Sequence, residues 1–290
     1  MSAALHAKYY ADQATQLSVE VVENVRMARD TFRVRFHCPA LAARALPGQF
    51  VMLRLAGYDD PLIGRPLAVY DVIRSSKGEP ESIDVIYLVK GKLTTRLVSF
   101  QPGQRLDVCG PLGNGFEPID TKHLVMVAGG IGQTPFVCVA KEYLGLQRFG
   151  TPQREPARCD KVTLCYGGRS ADLLAGIEDF KRIGVAVRIA TDDGSLGHHG
   201  LVTDVLSQVL AESDDKCQVV CCGPEPMMEA VARVTGTARV PCRVSLETPM
   251  ACGIGICFTC VAKVRDESGA WDYKRTCVDG PVFDAELIEW

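Results

Sequence analysis

The sequence predicts an α+β protein of several domains: an antiparallel β-barrel, an α/β domain with a doubly wound parallel sheet, and a small C-terminal cysteine-rich domain. Three observations predict this order. Short apolar or alternating segments fill the chain as far as Phe116. Strand-like and helix-like segments then alternate up to residue 240, and four of the 13 cysteines lie between Cys252 and Cys277. We expect an N-terminal tail at 1–16 and the three domains at 17–118, 119–240 and 241–290.

The composition is that of a folded globular protein. Hydrophobic residues make up 47% of the chain and charged residues 23%, a balance that excludes a disordered protein. The net charge of −3 leaves no basic field for a nucleic acid. The longest apolar run, Leu124–Gly132, is about half as long as a membrane-spanning helix. Because Asp12 and Glu20 leave no secretory core, we expect a cytoplasmic protein without nucleic-acid or membrane partners.

The first predicted domain consists of six strands. Pro47-Gly48 and Pro102-Gly103 mark turns between strands, and one helical stretch, Lys92–Ser99, interrupts the series. Six short strands at this spacing predict a small antiparallel barrel. The strands are expected at Leu17–Asn24, Thr31–His37, Gln49–Leu55, Leu67–Ile73, Ser82–Val89 and Arg105–Cys109.

A short motif, Arg65-Pro66-Leu67-Ala68, stands where the fourth of these strands begins. An arginine guanidinium at such a position can bind a pyrophosphate through two hydrogen bonds, and the proline ring fixes the approach of the chain. An ordinary turn that leads into a strand has the same features. By itself the motif does not distinguish a ligand site from a structural turn.

The second predicted domain opens with a buried strand, Leu124–Ala128, followed by a glycine turn and a helix that ends at about Leu146. Further strands and helices alternate, which is typical of a doubly wound parallel sheet. The strands are expected at Val162–Tyr166, Val185–Ile189 and Gln218–Cys222, and the helices at Leu173–Ile183, Val202–Leu210 and Pro226–Val234.

Two turns in this domain are candidate phosphate sites. Gly129-Gly130-Ile131-Gly132 and Cys222-Gly223-Pro224-Glu225 each follow a predicted strand and lead into a helix. Backbone N–H groups at such turns can approach a phosphate at the helix N-terminus. The usual G-x-G-x-x-G pattern is absent, and tight packing between elements explains the glycines equally well.

The strongest signal lies in the third predicted domain. Cys252, Cys257 and Cys260 have the spacing C-x4-C-x2-C, and Cys277 follows at a distance. This is the spacing of a plant-type [2Fe–2S] loop, in which three thiolates on one short loop and a distant fourth hold a two-iron core. The sequence therefore predicts an iron–sulfur cluster.

Other features of the loop agree with this prediction. Gly253 and Gly255 let the backbone curl around a cluster without Cβ clashes. A structural zinc site, the main alternative, favours paired C-x2-C units, of which only one is present. A c-type haem requires histidine where Val261 stands.

Taken together and in this order, the motifs resemble the ferredoxin–NADP reductase superfamily, and most closely the electron transfer subunits of two-component, NAD-dependent dihydroorotate dehydrogenases. The resemblance covers roughly Leu17 to Phe283. Its most specific parts are Gly110–Phe116, the cysteine loop and Cys277–Phe283. It implies an FAD-binding barrel, an α/β domain for NAD and a C-terminal [2Fe–2S] domain.

The resemblance implies roles for the matching residues. Arg65 would bind the FAD pyrophosphate, Leu67 and Ala68 would line the isoalloxazine ring, and Cys222 would lie beside the nicotinamide ring. The full FAD set is Arg65, Pro66, Leu67, Ala68, Ile86, Tyr87, Leu88, Leu93 and Thr94. The nucleotide set is Gly129, Gly130, Gly132, Thr134, Cys222, Gly223, Pro224 and Glu225. The cluster ligands would be Cys252, Cys257, Cys260 and Cys277, and no catalytic side chain is implied.

Three residues depart from the family's pattern. Ala68 stands where a serine hydroxyl usually serves the flavin N5, so we expect a backbone N–H to take that part. Leu93 replaces a usual glycine, which we expect to change how closely the backbone meets the phosphate. Pro249 replaces a usual arginine ahead of the cysteine loop, and we expect an effect on the cluster potential or on partner docking.

The function that the resemblance implies is electron transfer in pyrimidine biosynthesis. Electrons from the FMN of a separate dihydroorotate dehydrogenase catalytic subunit would pass singly through the cluster to FAD and leave as a hydride to NAD. A catalytic barrel of the required size does not fit in 290 residues beside these domains. We therefore expect a heterotetramer with two copies of each chain.

Some alternatives stay open at this stage. The same modules serve NAD(P)H-dependent reductases for another acceptor, such as a ferredoxin or an oxygenase, and a zinc-stabilised binding module is the non-enzymatic alternative. The choice between NAD and NADP is open, because Arg169-Ser170 either meets a 2′-phosphate or faces solvent. For the adjacent His198 and His199, in a glycine-rich loop, we expect solvated side chains rather than metal ligands.

Overall fold

The computed structural model describes residues 14–157, 159–213, 216–266 and 268–290. Most of the predicted N-terminal tail, residues 1–13, lies outside the described residues. Thr15 and Gln16, which the prediction assigns to that tail, form the start of the first strand and pair with Gly110 and Cys109. The strand begins earlier than its apolar pattern predicts because a neighbouring strand supplies hydrogen-bond partners there.

Six antiparallel strands form a closed barrel in the order β1-β2-β5-β4-β3-β6, as the sequence predicts. Alternation along each strand places one set of apolar side chains inside, among them the fully buried Val34, Phe36 and Leu53. The elements are β1 (Thr15–Ala28), β2 (Thr31–His37), α1 (Pro39–Ala42), β3 (Phe50–Leu55), β4 (Arg65–Arg74), β5 (Pro80–Leu88), α2 (Lys92–Leu97) and β6 (Arg105–Leu112).

A seven-stranded sheet follows in the order β10-β9-β8-β7-β11-β12-β15, parallel except for β15. The predicted helix Leu173–Ile183 begins only at Ile177, because Gly176 takes a left-handed φ of +77° just before it. None of the helices in the described ranges is long and apolar enough to span a membrane. The elements are β7 (His123–Gly129), α3 (Phe136–Tyr143), β8 (Lys161–Gly168), α4 (Ile177–Arg182), β9 (Ala186–Thr191), β10 (His198–His199), α5 (Val202–Ala211), β11 (Cys217–Cys222), α6 (Glu225–Ala238), β12 (Cys242–Ser245) and β15 (Val282–Asp284).

The cysteine-rich segment is joined to both of the preceding units. β12 pairs with β11 and β15 pairs with β12, so the α/β sheet continues past the predicted boundary at residue 240. Only β13 (Val261–Arg265) and β14 (Trp271–Arg275) form a separate two-stranded sheet. Cys260 and Cys277 pack in one apolar cluster with side chains of β3 and β6.

Contacts along the outer face of β4 hold the barrel against the α/β domain. The hydroxyl of Tyr70 donates to Asp179 over 2.8 Å, and Lys141 Nζ donates to the Asp71 carboxylate over 2.7 Å. The ring of Tyr70 packs in the core of the α/β domain. These contacts fix the position of the barrel relative to the α/β domain, and with it the shape of the space between them.

Candidate functional site

The four predicted cluster ligands come together beside the barrel. Cys252, Cys257 and Cys260 lie on the loop between β12 and β13, and Cys277 lies in the turn that follows β14. All four are free thiols. Cys260 and Cys277 are buried, whereas Cys257 is exposed, so the site has a protein-facing side and a solvent-facing side.

Two glycines give this loop its curvature. Gly253 has a φ of +72° and Gly255 a φ of +81°, a region that residues with a Cβ rarely adopt. A Cβ on Gly253 would lie 2.5 Å from Met52 Cγ, and one on Gly255 would lie 2.6 Å from Val278 Cγ2. Close packing and backbone conformation therefore both require glycine here.

The thiols contact one another in two pairs. Hydrogen bonds from Thr259, whose hydroxyl lies 3.0 Å from the sulfur, and from Cys252 lower the pKa of Cys257 to about 6. Burial, with a contact from Cys260, raises the pKa of Cys277 to about 12. No group of three or more His, Cys, Asp or Glu side chains in the described ranges is arranged to hold a metal ion. Two thiol pairs are the donor set of a [2Fe–2S] cluster, whose two irons are held by four cysteines.

The flavin motif opens β4. The Arg65 guanidinium is exposed and donates to the carbonyl groups of Ile63 and Gly64 over 3.1 and 3.0 Å. It forms no ion pair with any described carboxylate, so its remaining N–H groups can bind an anion. The structure thus leaves Arg65 available for a phosphate group.

Ala68 lies near the start of β4, and its backbone N–H points away from β3. Val69 N donates to Gln49 O over 2.9 Å, and successive N–H groups of a strand point to opposite sides. The Ala68 N–H therefore points to the β5 side, where pairing between β4 and β5 begins only at Val69. This backbone N–H is the group that we expect to serve the flavin in place of the serine hydroxyl.

The other segments of the predicted FAD set are divided between two surfaces. Ile86 packs with the α/β core and Leu88 lines the cavity described below. Tyr87 instead faces the barrel interior, where its hydroxyl donates to Asn24 over 3.0 Å and burial raises its pKa to about 12. Leu93 also fills the barrel core, and the Thr94 hydroxyl accepts the backbone N–H groups that precede α2.

A cavity of about 650 Å³ lies between the barrel and the carboxyl ends of the parallel strands. Its volume is in the range of small-molecule sites, and its position is where open α/β sheets bind ligands. Thr31 and Leu88 line it from the barrel. On the α/β side it is lined by Gly129 at the end of β7, by Gly130 directly after it and by Pro224 after β11. This position makes the cavity the candidate site for the nucleotide.

The two glycine turns contain both tightly packed glycines and one glycine with open space beside it. A Cβ on Gly132 would lie 2.2 Å from Cys222 O, and one on Gly223 would lie 2.9 Å from Gly129 N, so these glycines let the two turns pack together. Gly130 has a φ of +55° and open space beside it, on the cavity wall. The backbone at Gly130 can therefore approach a ligand in the cavity.

The remaining predicted nucleotide residues do not line the cavity. Thr134 and Cys222 are buried, and Glu225 is the first residue of α6. Burial and the charge of Glu247 raise the pKa of the Cys222 thiol. Cys222 therefore lies behind the wall as a neutral thiol.

Sequence reasoning missed two acidic residues on the wall. Asp192 follows β9 and Glu247 follows β12, and together with Arg169 they are the charged residues that line the cavity. A position directly after a parallel strand was the signal for Asp192. The sequence carries no such signal for Glu247, because the four residues of β12 are too short a segment to predict a strand. His198, on β10, contacts Asp204 over 3.3 Å and has no part in the cavity.

Three family models match successive parts of the chain. The oxidoreductase FAD-binding domain matches residues 18–116, and the oxidoreductase NAD-binding domain matches residues 126–233. The iron-sulfur cluster binding domain of dihydroorotate dehydrogenase B matches residues 247–289. They confirm the predicted cofactors FAD, NAD and [2Fe–2S], and the chain is an NAD-linked flavin and iron–sulfur oxidoreductase subunit.

Two solved structures are similar in fold. One, described as giving insights into flavin-based electron bifurcation, is an NADH-dependent reduced ferredoxin-NADP oxidoreductase; the match has 31% identity and a TM-score of 0.76, and covers 94% of this chain and 90% of that chain. The other is the ferredoxin reductase in carbazole 1,9a-dioxygenase, at 22% identity and a TM-score of 0.63, with coverage of 79% and 67%. The second likeness shows the fold alone.

Curated relatives share one name, dihydroorotate dehydrogenase B (NAD(+)), electron transfer subunit. That of Caldanaerobacter subterraneus subsp. tengcongensis is 34% identical over 273 residues, which cover 94% of this chain and 98% of that protein. That of Geobacillus kaustophilus is 39% identical over 246 residues, with coverage of 82% and 85%. On these identities and on the order of its three domains, the chain belongs to the family of electron transfer subunits of dihydroorotate dehydrogenase B.

Proposed function

We propose that this chain carries electrons between the FMN of a dihydroorotate dehydrogenase catalytic subunit and NAD, in pyrimidine biosynthesis. The route would run through its [2Fe–2S] cluster and its FAD. The name of the relatives supports the reaction. The observation that carries the route is the packing of the cysteine loop against the strand that pairs with the flavin motif.

The strand β3 lies between the cysteine loop and the flavin motif. Gly253 approaches the Met52 side chain so closely that no Cβ fits between them. Met52 lies on β3 opposite Pro66 of the flavin motif, and neighbouring strands are about 4.8 Å apart. Phe50 and Leu112 fill the space around Cys260 with apolar side chains. Electrons would therefore cross a short, dry gap between cluster and flavin.

The protein's own residues hold and orient the cofactors. The guanidinium of Arg65 would bind the FAD pyrophosphate, and the Ala68 N–H would orient the ring edge. The four thiolates would hold the cluster, and Gly130 would let the nucleotide approach the turn after β7. When bound, FAD supplies the exchange between one-electron transfer and hydride transfer.

We infer that the catalytic subunit docks at the exposed side of the cysteine loop. Ile256 and Phe258 flank Cys257, and 73% and 61% of their surfaces are exposed. The Arg275 guanidinium lies 5.2 Å from the Phe258 ring centroid. Aromatic and arginine side chains are typical of interface centres. Two copies of each chain would form the complete enzyme.

A second candidate function is a reductase for another electron acceptor, such as a ferredoxin. The similarity to the NADH-dependent reduced ferredoxin-NADP oxidoreductase, at a TM-score of 0.76 over 94% of this chain, favours it. The same three cofactor sites would serve both functions. Only the electron partner would differ.

Steady-state assays with and without partners distinguish the two. With NADH, the lone chain should reduce ferricyanide, because hydride entry needs only its FAD and nucleotide sites. It should not oxidise dihydroorotate until the FMN-containing catalytic subunit is added, when NAD⁺ reduction should appear and the mass of the complex should show two copies of each chain. Dihydroorotate oxidation by the lone chain would contradict the proposal. Activity with ferredoxin and none with the catalytic subunit would select the second candidate.

A further inference from the structure

Phe50, the first residue of β3, has neighbours in both the flavin motif and the cluster site. It lies directly opposite Ala68 in the pairing of β3 with β4, and such opposite residues project to the same face with Cβ atoms about 4.5 to 5.5 Å apart. That face is the outside of the barrel, because the next residue, Val51, fills the barrel core. There Phe50 is only 4% exposed and belongs to the apolar cluster that contains Cys260 and Cys277. Phe50 therefore links the flavin motif to the buried side of the cluster site.

The motif Gly110–Phe116 fixes the position of the Phe50 ring. A Cβ on Gly113 would lie 2.7 Å from Phe50 Cε1 and 2.7 Å from Pro281 Cδ, so the glycine makes room for the edge of the ring. The carbonyl group of Gly113 accepts a hydrogen bond of 2.8 Å from Gln49 Nε2, on the residue directly before Phe50. The ring is thus packed between its own strand and the C-terminal segment.

The same motif holds the turn that carries Cys277. Asn114 donates to the carbonyl groups of residues 278–280, its side chain over 3.2 and 3.1 Å and its backbone N–H over 2.7 Å. These three hydrogen bonds fix the backbone that directly follows Cys277. Because Gly113 and Asn114 are adjacent, the Phe50 ring and the Cys277 turn are held in one arrangement.

Resting on the proposed function, we propose that the Phe50 side chain is the bridge across which electrons pass between the cluster and FAD. In this step one electron leaves one cofactor and enters the other, no bond forms or breaks, and Phe50 itself is neither oxidised nor reduced. Such transfer occurs by tunnelling, whose rate falls exponentially with distance and falls more steeply across an empty gap than through packed atoms. A buried ring held on two sides supplies packed atoms at this place.

Laser-flash photoreduction of FAD in the holoprotein measures the transfer directly, because the electron then moves to the cluster without any nucleotide. In Phe50→Leu this transfer should be roughly tenfold slower, because the smaller side chain leaves part of the gap unpacked. Stopped-flow reduction of FAD by NADH should change by less than about threefold, because the hydride does not cross the bridge. Phe100→Leu is the control, since Phe100 is 3% exposed but lies in the barrel core, and it should leave both rates unchanged. An unchanged transfer rate in Phe50→Leu, or equal slowing in both variants, would overturn the inference.

Equilibrium measurements distinguish a bridge from a purely structural side chain. The iron content and the midpoint potentials of both cofactors in Phe50→Leu should match those of the wild type, because a bridge changes the electronic coupling and not the energy of either cofactor. A lost cluster or a shifted potential would show a structural role and overturn the inference.

The wild type alone provides a further test. The EPR signals of one-electron-reduced FAD and of the reduced cluster should broaden each other, because one side chain separates the two sites. Absence of this broadening would overturn the inference even if Phe50→Leu fails to fold. If electrons pass from FAD to the cluster at a rate that depends on Phe50, but the catalytic subunit gives no NAD⁺ reduction with dihydroorotate, the proposed function fails and the bridge stands.

Discussion

At the scale of single residues, the four cysteines proposed to hold the cluster differ in what surrounds them. Cys257 is exposed and its pKa is lowered to about 6, so it is readily available as a thiolate ligand. Cys260 and Cys277 are buried against the barrel, where a bound metal would compensate for the charge of their thiolates. Loss of any one of the four would leave an iron with an incomplete donor set.

Replacing Cys257 by serine should therefore destroy the cluster or leave it severely unstable. The matched control is Cys159→Ser, because Cys159 is another partly accessible thiol that lies near the start of β8, away from the quartet. The visible spectrum and the iron and acid-labile sulfide content measure the outcome. An unchanged cluster spectrum in Cys257→Ser would refute the assignment.

Gly255→Ala tests the curvature of the loop. Its φ of +81° disfavours a Cβ by about 1 to 2 kcal/mol, and the contact of 2.6 Å to Val278 adds to that cost. Gly269 has a similar φ of +85° but open space around it, so Gly269→Ala carries the conformational cost alone. We expect iron content to fall in Gly255→Ala and to stay at the wild-type level in Gly269→Ala; equal losses would show that packing at Gly255 is unimportant.

The residue scale also shows the limits of the sequence. The cysteine spacing predicts a cluster site because three of the four proposed ligands share one short loop. The FAD segment 86–88 is different, because side chains alternate along a strand: Ile86 and Leu88 face outward, while Tyr87 faces the barrel core. A contiguous motif therefore mixes residues near the site with residues of the core.

At the scale of elements, a buried ion pair joins the connection between α3 and β8 to the side of α3. Arg154 donates to both oxygens of Glu142 over 2.7 Å and also to the carbonyl of Phe116. The Glu142 side chain is only 1% exposed and burial raises its pKa, so it depends on this partner. The ion pair thus attaches this connection to the C-terminal end of α3.

Arg154→Met should lower the free energy of unfolding by about 3 to 5 kcal/mol, because it leaves a buried carboxylate without its partner. Arg188→Met is the control, since the ion pair of Arg188 with Glu212 is more than half exposed on both sides and should contribute less than about 1 kcal/mol. Urea unfolding of the two variants measures the difference. Equal midpoints would mean that the buried pair contributes no more than the surface pair.

Element prediction succeeded where the apolar pattern was strong and failed where neighbouring strands decide. The barrel strands and β7, β8 and β11 have clear apolar runs, and the structure contains them. β12 and β15 have only four and three residues, and each is a strand because an adjacent strand offers hydrogen-bond partners. Such pairing arises only in the folded chain, and a segment of three or four residues is too short to show a strand pattern in its sequence.

At the scale of the whole molecule, the exposed apolar side chains of the cysteine loop are the expected contact with the catalytic subunit. Phe258→Asp should weaken binding of that subunit at least tenfold, because it places a charge in an apolar interface, and NADH–ferricyanide activity should stay within twofold of wild type. Leu146→Asp is the control, since Leu146 is similarly exposed but follows α3 in the α/β domain. Gel filtration or surface plasmon resonance with the purified partner decides the matter. Equal affinities for both variants would move the interface elsewhere.

The return of β15 into the α/β sheet limits how this chain can be recombined with its relatives. A chimaera that exchanges the iron–sulfur module at residue 240 also exchanges β12 and β15, and the new strands must match an edge, β11, that they did not evolve with. A junction inside the segment Leu246–Met250 avoids only half of this problem, because Val282–Asp284 still comes from the donor. The iron–sulfur module therefore cannot be exchanged independently of the α/β domain, in evolution or in engineering. A working exchange must transfer β12, β15 and their partner β11 together.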